Sequence, residues 1–318
     1  MRIAIAVPPS AAPRSGNVHT ATRWAAFLRQ LGHRVHIVTR WRSGHDDLLL
    51  ALHARKSFDS IWRFSDAKPS APVIVALTGT DLYRDIRTDP QARQSLGLAT
   101  RLAVLQEEGL RELSPFLRSK TRVVYQSANV SLRHAPGKSP FRVAVIGHLR
   151  EEKDPFRAVQ ALRRIERSTP VEVVQVGGAL DREMRERARG WRKIERRYRW
   201  LGSLEHRATM RLLASSHVLV VSSVMEGGAN VICEAARIGV PVLASRVSGN
   251  LGMLGRDYPG YFPLRDDRAL ARLIERARND PAYYKRLKSA VRRRSGRFAP
   301  ASERAGLKRL LSGLRRKE

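Results

Sequence analysis

The stretch from residue 223 to residue 235 reads Ser-Val-Met-Glu-Gly-Gly-Ala-Asn-Val-Ile-Cys-Glu-Ala and follows an apolar run. This pattern predicts a strand that ends near Ser222, then a glycine-rich turn, then a helix that begins around Ala229. Backbone N–H groups at a helix start favour a phosphate, and the carboxylates of Glu226 and Glu234 flank that place. Because carboxylates accept hydrogen bonds from hydroxyl groups, the stretch predicts a ligand with phosphates between two polyols. A nucleotide sugar has this layout, which indicates an enzyme rather than a scaffold.

The length and composition of the chain limit the classes of protein it can belong to. At 318 residues it is long enough for two domains with cores of their own. The apolar start Ile3–Val7 is too short for a signal peptide and predicts a buried strand, and no apolar run approaches the roughly 18 residues that span a bilayer. The single cysteine, Cys233, excludes an internal disulfide, fits a reducing compartment and is interpreted as helix packing. We therefore expect a cytoplasmic protein.

A formal net charge of +31 indicates that anions are attracted to the surface. Three partner classes are compatible with it: a small anionic substrate, an acidic membrane surface, or nucleic acid. The excess is mostly arginine and is spread along the whole chain, which does not favour a dedicated nucleic-acid stripe. A general arginine bias of the source genome explains the charge equally well.

Short apolar runs, among them residues 48–52, 73–77, 171–176 and 218–221, alternate with helical patterns, among them residues 155–167 and 267–279. This alternation predicts parallel sheets covered by helices on both faces. The polar segment 131–140 contains two prolines and a glycine, is typical of a linker, and is followed by a restart of the pattern. We predict an α/β protein with two tandem Rossmann-like domains, 1–132 and 141–290, that face each other across a ligand-binding cleft. For residues 291–318 we predict a basic helix that packs back on the first domain. A helix that lies on a membrane surface is the alternative.

Several short motifs resemble those of the retaining glycosyltransferases of family 4 type, which have the GT-B fold. Residues 31–35 (LGHRV) look like the family's LxxxGHxV, and residues 147–153 (GHLREEK) look like its GRLxxEKG. Residues 238–242 (IGVPV) and the two glutamates of the opening stretch also match. The resemblance covers nearly the whole chain. It implies a first domain that binds the acceptor and a second that binds the nucleotide sugar.

A compact subfamily, the selenosugar synthases of selenoneine biosynthesis, is more similar still. The similarity lies in Gly16-Asn17 with residues 20–24 (TATRW), in residues 52–56 (LHARK), in residues 77–85 (LTGTDLYRD), and in GHLR with Lys153-Asp154-Pro155. It implies transfer of N-acetylglucosamine from a UDP-sugar to selenophosphate, which gives a selenosugar.

The resemblance also implies a set of donor-binding residues. Lys153 matches the lysine on the donor diphosphate, Glu226 the glutamate near the donor sugar, and Glu234 the glutamate on the ribose hydroxyls. His148 stands where most of the family has a second phosphate-binding arginine, so we prefer Arg150 as the second cation. Backbone groups and small side chains that approach the donor are expected at Ser15, Gly16, Gly227, Gly228, Ala229 and Asn230.

The first domain is expected to hold a small anionic acceptor. Many family members have a histidine–aspartate pair after the fourth strand, but this chain has Gly79-Thr80-Asp81 there. An alcohol acceptor needs help to lose its proton, whereas an acceptor that is already an anion does not. The missing histidine and nearby polar groups therefore favour an anion. The candidate acceptor residues are Thr80, Asp81, Arg84, His53 and Arg55, with Lys56 and Arg23 as further cations.

Two alternatives remain open at this point. One is a glycosyltransferase for a lipid-linked or lipopolysaccharide acceptor at an acidic membrane, and the other, more remote, is a nucleic-acid-binding protein on a transferase fold. We expect no metal and no other cofactor, because the acid pairs Asp46-Asp47 and Asp266-Asp267 are adjacent rather than spaced as a metal clamp.

Overall fold

The structure is a computed structural model that describes residues 1–9 and 16–314. The chain forms two compact units. The first combines the N-terminal part up to Gln126 with the C-terminal segment from Pro300, and the second is Ser127–Ala299. Ser15 lies outside the described residues.

Strands and helices alternate along most of the chain. The strands are β1 (Arg2–Ala6), β2 (Arg34–Val38), β3 (Leu48–Leu52), β4 (Val73–Leu77), β5 (Arg101–Val104), β6 (Thr121–Val123), β7 (Phe141–Ile146), β8 (Val171–Val176), β9 (Tyr198–Trp200), β10 (Val218–Val221), β11 (Val242–Ser245) and β12 (Tyr261–Phe262). The helices are α1 (Gly16–Gln30), α2 (Phe58–Ala67), α3 (Ile86–Thr88), α4 (Pro90–Leu98), α5 (Pro115–Ser119), α6 (Arg157–Leu162), α7 (Arg182–Ile194), α8 (His206–Ala214), α9 (Asn230–Ile238), α10 (Ser248–Leu254), α11 (Asp267–Asn279), α12 (Pro281–Arg294) and α13 (Pro300–Leu311).

Each unit is built on a parallel sheet of six described strands. The first sheet has the order β2-β1-β3-β4-β5-β6, and the second has the order β12-β11-β10-β7-β8-β9. Every residue of β3 and β4 is buried, as expected for strands covered on both faces. The fold class predicted from the sequence, α/β with two Rossmann-like sheets, is confirmed. Within the described residues no helix is both long enough and apolar enough to cross a membrane.

The strand orders locate the point in each sheet where the winding direction reverses. In the second sheet this switch point lies between β7 and β10, and in the first sheet it lies between β1 and β3. Ligands of open parallel sheets bind outside the carboxyl ends of the strands at such a point. The loops after β7 and β10 are therefore the expected ligand-binding place of the second unit.

Two helix boundaries differ from the predicted ones for identifiable reasons. The predicted helix 155–167 ends at Leu162, because the guanidinium of Arg197 donates to the carbonyls of Leu162 (3.0 Å) and Ile165 (3.3 Å) and so replaces the helical donors. Residues 291–294, the expected start of the basic tail, instead end α12 of the second unit, which begins at Pro281 because Asp280 caps it by accepting from the Tyr283 N–H (2.9 Å).

A buried carboxylate joins the last helix to the first one within the first unit. The side chain of Glu303 in α13 is fully buried and accepts from Trp24 Nε1 (2.6 Å) and Arg23 Nε (2.7 Å) of α1. Leu307 and Leu310 of α13 lie in the same core cluster as Trp24. The leucine face of this helix is therefore buried in protein.

We expect Glu303→Ala to lower the free energy of unfolding of the first unit by about 2–4 kcal/mol, because it leaves the Trp24 N–H and a partly buried guanidinium without their acceptor. Glu303→Gln keeps an acceptor oxygen and should cost less. Urea unfolding followed by tryptophan fluorescence measures both variants. A loss in Glu303→Ala no larger than in Glu303→Gln would contradict this role.

Candidate active site

The loops after β7 and β10 meet through an ion pair at the switch point of the second sheet. Lys153 ends a short 3-10 turn (Glu151–Lys153) in the first loop, and its Nζ donates to Glu226 Oε2 in the second. The side chain of Glu226 is 9% exposed and that of Lys153 is 24% exposed. Both groups are shielded from bulk water, so their charges are screened less than surface charges.

Serine hydroxyl groups and one backbone bond fix the two loops to each other. Ser222 Oγ donates to the carbonyls of Lys153 (3.1 Å) and Asp154 (2.8 Å), and Ser223 Oγ donates to Glu226 Oε2 (3.0 Å). The Val224 N–H donates to the Glu152 carbonyl (2.9 Å). The two serines were not predicted as site residues. Their position at the carboxyl end of a buried strand was the available signal.

The glycine-rich turn leads into α9 as predicted, with Ala229 as the residue before its first turn. Within the described part of the chain, the backbone N–H groups of Gly227, Gly228 and Ala229 donate to no acceptor in the protein. Three N–H groups without a protein acceptor at the start of a nine-residue helix form a suitable place for a phosphate. Asn230 is the first residue of that helix.

Two further predicted donor residues, Glu234 and His148, lie in the second unit. Glu234, on α9, has a side chain that is 16% exposed, with His206 Nδ1 3.8 Å from its carboxylate. His148 is half-buried between Gly147 and the parallel bridge formed by Leu149 and Ala179.

Arg150 is exposed and, among the described residues, forms no ion pair. Gly16 belongs to the first unit, where it is the first described residue of α1.

A second interlocked cluster lies at the carboxyl ends of β3 and β4 in the first unit. His53 follows β3 with a φ of +78°, a backbone conformation that is unfavourable for residues other than glycine and that persists at functional sites. Thr80 and Asp81 follow β4, where a π-helical turn covers Asp81–Asp85. Asp81 is fully buried and accepts from the N–H groups of Ala54 (3.0 Å) and Gly79 (2.8 Å).

One carboxylate holds both of the predicted acceptor arginines. Asp85 Oδ2 accepts from Arg55 Nε (2.9 Å), and Asp85 Oδ1 accepts from Arg84 Nε (3.0 Å). Only the Nε atoms are used, so within the described residues the terminal nitrogens of both guanidinium groups face no other acceptor. Burial raises the pKa of Asp85, but its hydrogen bonds to Arg84 and Arg55 outweigh this and hold that pKa below its usual value. Asp85 was not predicted, although it stands next to Arg84 in the sequence.

Burial determines the charge of the His53 ring, and its hydrogen bonds determine which ring nitrogen carries the proton. Burial lowers the pKa of His53, and this effect exceeds the opposing influence of Asp81, so the ring is neutral near pH 7. The Lys56 N–H donates to Nδ1 (3.3 Å), which assigns the proton to Nε2. Nε2 then donates to Thr80 Oγ1 (3.0 Å), and the Thr80 hydroxyl directs its own hydrogen elsewhere. The ring thus orients a hydroxyl donor.

One further candidate residue lies outside this cluster. Arg23 does not join this cluster, because it pairs with Glu303. Among the described residues no group of three His, Cys, Asp or Glu side chains is arranged to hold a metal ion.

The family of this chain follows from its sequence. The profile of the family described as Glycosyl transferases group 1 matches residues 131–294, which is half of the chain, and the chain belongs to that family. Glycogen synthase from Mycobacterium tuberculosis (strain H37Rv) is 30% identical over 164 residues. The match covers 50% of this chain and 39% of the relative, so the chain matches well under half of that relative's length.

Solved structures with the same fold are more distant in sequence. HepE from Anabaena, solved in complex with UDP, has a TM-score of 0.79 and 18% identity, with 99% of this chain and 100% of that chain covered. Sucrose-phosphate synthase from Thermosynechococcus elongatus has a TM-score of 0.77 and 18% identity, with 98% of each chain covered. These likenesses establish the GT-B fold.

The turn that carries Glu226 packs against α10 so closely that a Cβ atom at Gly249 would lie 1.7 Å from the Glu226 carbonyl oxygen. We expect Gly249→Ala to displace this turn and to destabilise the second unit by about 1–3 kcal/mol. Gly190→Ala, in α7 with open space around it, is the matched control and should be neutral or stabilising. Thermal unfolding measures both variants, and equal melting temperatures would contradict the close contact.

Proposed function

We propose that this protein is a glycosyltransferase that moves N-acetylglucosamine from a UDP-sugar to selenophosphate, with retention of the anomeric configuration. The observation that carries the proposal is the Lys153–Glu226 pair at the switch point of the second sheet, beside the N–H groups of the glycine-rich turn. The donor is assigned to the second unit and the acceptor to the first.

The geometry of the second unit suits a nucleotide diphosphate sugar. The N–H groups at the start of α9 and the ammonium of Lys153 are donors for phosphate oxygens, and Glu226 and Glu234 are acceptors for hydroxyl groups. The UDP bound in HepE, a protein of the same fold, supports uridine diphosphate as the leaving group.

Negative charge on the diphosphate increases as the sugar leaves. A fixed cation at that place stabilises the transition state more than the ground state, because the interaction strengthens as the charge develops. Lys153 is held in position by Glu226, and exposed Arg150 supplies the second cation. The acceptor attacks the anomeric carbon from the face that the diphosphate leaves, so the new bond forms where the bond to the phosphate oxygen breaks, which accounts for retention.

The cluster in the first unit supports an acceptor that is already ionised. His53 has no lone pair for a substrate proton, because Nδ1 accepts from Lys56 and Nε2 carries a hydrogen directed at Thr80. The carboxylate of Asp85 is a weak base between two arginines.

The other polar groups of this cluster are hydrogen-bond donors: the Thr80 hydroxyl and the terminal nitrogens of Arg55 and Arg84. Such a set binds an oxyanion, and the guanidinium forks match a phosphate. An anionic phosphorus compound with a nucleophilic selenium atom requires no base, so selenophosphate fits this site. The similarity to selenosugar synthases supports the same choice.

The first experiment is an anaerobic incubation of the pure protein with UDP-N-acetylglucosamine and fresh selenophosphate, analysed by mass spectrometry for a selenium isotope pattern. A selenium-bearing sugar formed by the wild type and absent with Glu234→Ala supports donor, acceptor and site together. Release of UDP without a selenium product retains the transferase and rejects selenophosphate. The absence of any turnover, with UDP-glucose tested as well, contradicts the proposed donor class.

We expect Lys153→Ala to lower kcat by about 10²–10³-fold, because it removes a cation that acts mainly in the transition state. Glu234→Ala should likewise lose turnover, because it removes the acceptor assigned to the ribose hydroxyl groups of the donor. Lys138→Ala, an exposed lysine of the same unit, is the matched control. Circular dichroism establishes that each variant is folded, and near-normal turnover in both site variants would refute the donor-site assignment.

The acceptor site has a separate test. Arg84→Gln should raise the KM for selenophosphate about tenfold or more and leave the KM for the UDP-sugar unchanged, because the terminal nitrogens of Arg84 are assigned to the acceptor only. Arg87→Gln removes an exposed arginine three residues further along and should change neither constant. A rise in the KM of the UDP-sugar alone would assign Arg84 to donor binding rather than to acceptor binding.

A further inference from the structure

A cavity of about 430 Å³ in the second unit lies beside α6, α7 and α11, and its volume is that of a small-molecule site. It is lined by Arg157, Gln160, Arg163, Arg164, Trp191 and Asp267. None of these residues belongs to the donor or acceptor groups described above. Three arginines around one cavity favour an anion.

Two of the arginines are already oriented by carboxylates. Arg157 Nε donates to Asp154 Oδ2 (2.8 Å), and its side chain is only 14% exposed. Arg164 Nε donates to Asp267 Oδ2 (2.9 Å). Within the described residues neither guanidinium uses its terminal nitrogens in an ion pair, so both retain the planar fork that binds a phosphate through two hydrogen bonds. An arginine that is held in advance loses less freedom when a ligand binds.

The other lining groups are suited to a ring with hydroxyl groups. Trp191 presents an aromatic face, with the guanidinium carbon of Arg163 6.0 Å from its ring centre. Gln160 Oε1 is buried and, within the described part of the chain, accepts no hydrogen bond. Such an acceptor is unfavourable unless a donor reaches it, and a ligand hydroxyl is a donor of the right kind. The aromatic face contributes apolar contact area beside the cations.

We propose that this cavity is a separate binding site for a phosphorylated sugar. The phosphate lies between the forks of Arg157 and Arg164 with Arg163 as a third cation. The sugar ring packs against Trp191, and one of its hydroxyl groups donates to Gln160. Net charge alone does not lead to this proposal, since arginines are spread over the whole chain. The oriented forks, the aromatic face and the unsatisfied acceptor occur together in this cavity.

Isothermal titration calorimetry of the full chain with glucose 6-phosphate tests the site, with saturating UDP present to occupy the donor site. Wild type should bind glucose 6-phosphate about tenfold or more tightly than either inorganic phosphate or glucose, because both halves of the ligand are recognised. Arg163→Gln combined with Arg164→Gln should weaken binding about tenfold or more. Trp191→Ala should remove the preference for glucose 6-phosphate over inorganic phosphate.

The matched control removes the same charge from the same region. Arg167→Gln combined with Arg185→Gln changes two exposed arginines outside the cavity and should leave the affinity unchanged. Equal losses in the two double variants would indicate general attraction to a basic surface and overturn the proposal. Undetectable binding by wild type, or binding that disappears in Lys153→Ala and persists in the cavity variants, would overturn it as well. The cavity variants can also be titrated with glucose 6-phosphate in the absence of UDP. A failure of the proposed transferase function is therefore distinguishable from a failure of this site.

Discussion

All strands of each sheet run in the same direction, so their carboxyl ends lie along one edge and their loops are brought together there. The Lys153–Glu226 pair depends on this geometry, because its members are far apart in the chain and meet only since β7 and β10 are neighbours in the sheet. His53 and Thr80 meet for the same reason at the ends of β3 and β4. Parallel pairing brings both groups of polar side chains together, and a different strand order would separate them.

Several acidic residues in this basic chain orient arginines. With 29 acids for 60 lysines and arginines, they cannot neutralise the surface. Asp85, Asp154 and Asp267 instead each accept from the Nε atom of an arginine. A bond at Nε fixes the plane of the guanidinium and leaves its outer edge available. The excess of positive charge thus includes arginines that are held in fixed orientations at the proposed anion-binding sites.

Two local sequence patterns made the fold predictable. One is the continuous apolar run of a buried strand, and the other is the signal for the start of a helix. The predicted bounds of β3, β4, β8, β10 and α11 coincide with the observed ones, because continuous apolar runs and a capping aspartate are local signals. The end of α6 was not predictable, since it depends on Arg197, which is distant in the chain. Most of the candidate donor residues lay in two motifs, residues 147–153 and 223–235, and could be named. Asp85 could not, because its role also depends on Arg55, which is 30 residues away in the chain and reaches it only in the folded sheet.

The junction of Glu303 with Trp24 and Arg23 has a consequence for biosynthesis. The second unit is one continuous segment, Ser127–Ala299, and all of it is synthesised before Pro300 is reached. The first unit waits for the last helix, because its core includes Leu307 and Leu310 and its buried N–H and guanidinium groups need the Glu303 carboxylate. Although domains commonly complete folding in the order of their synthesis, here the unit that leaves the ribosome first is the one that is completed last.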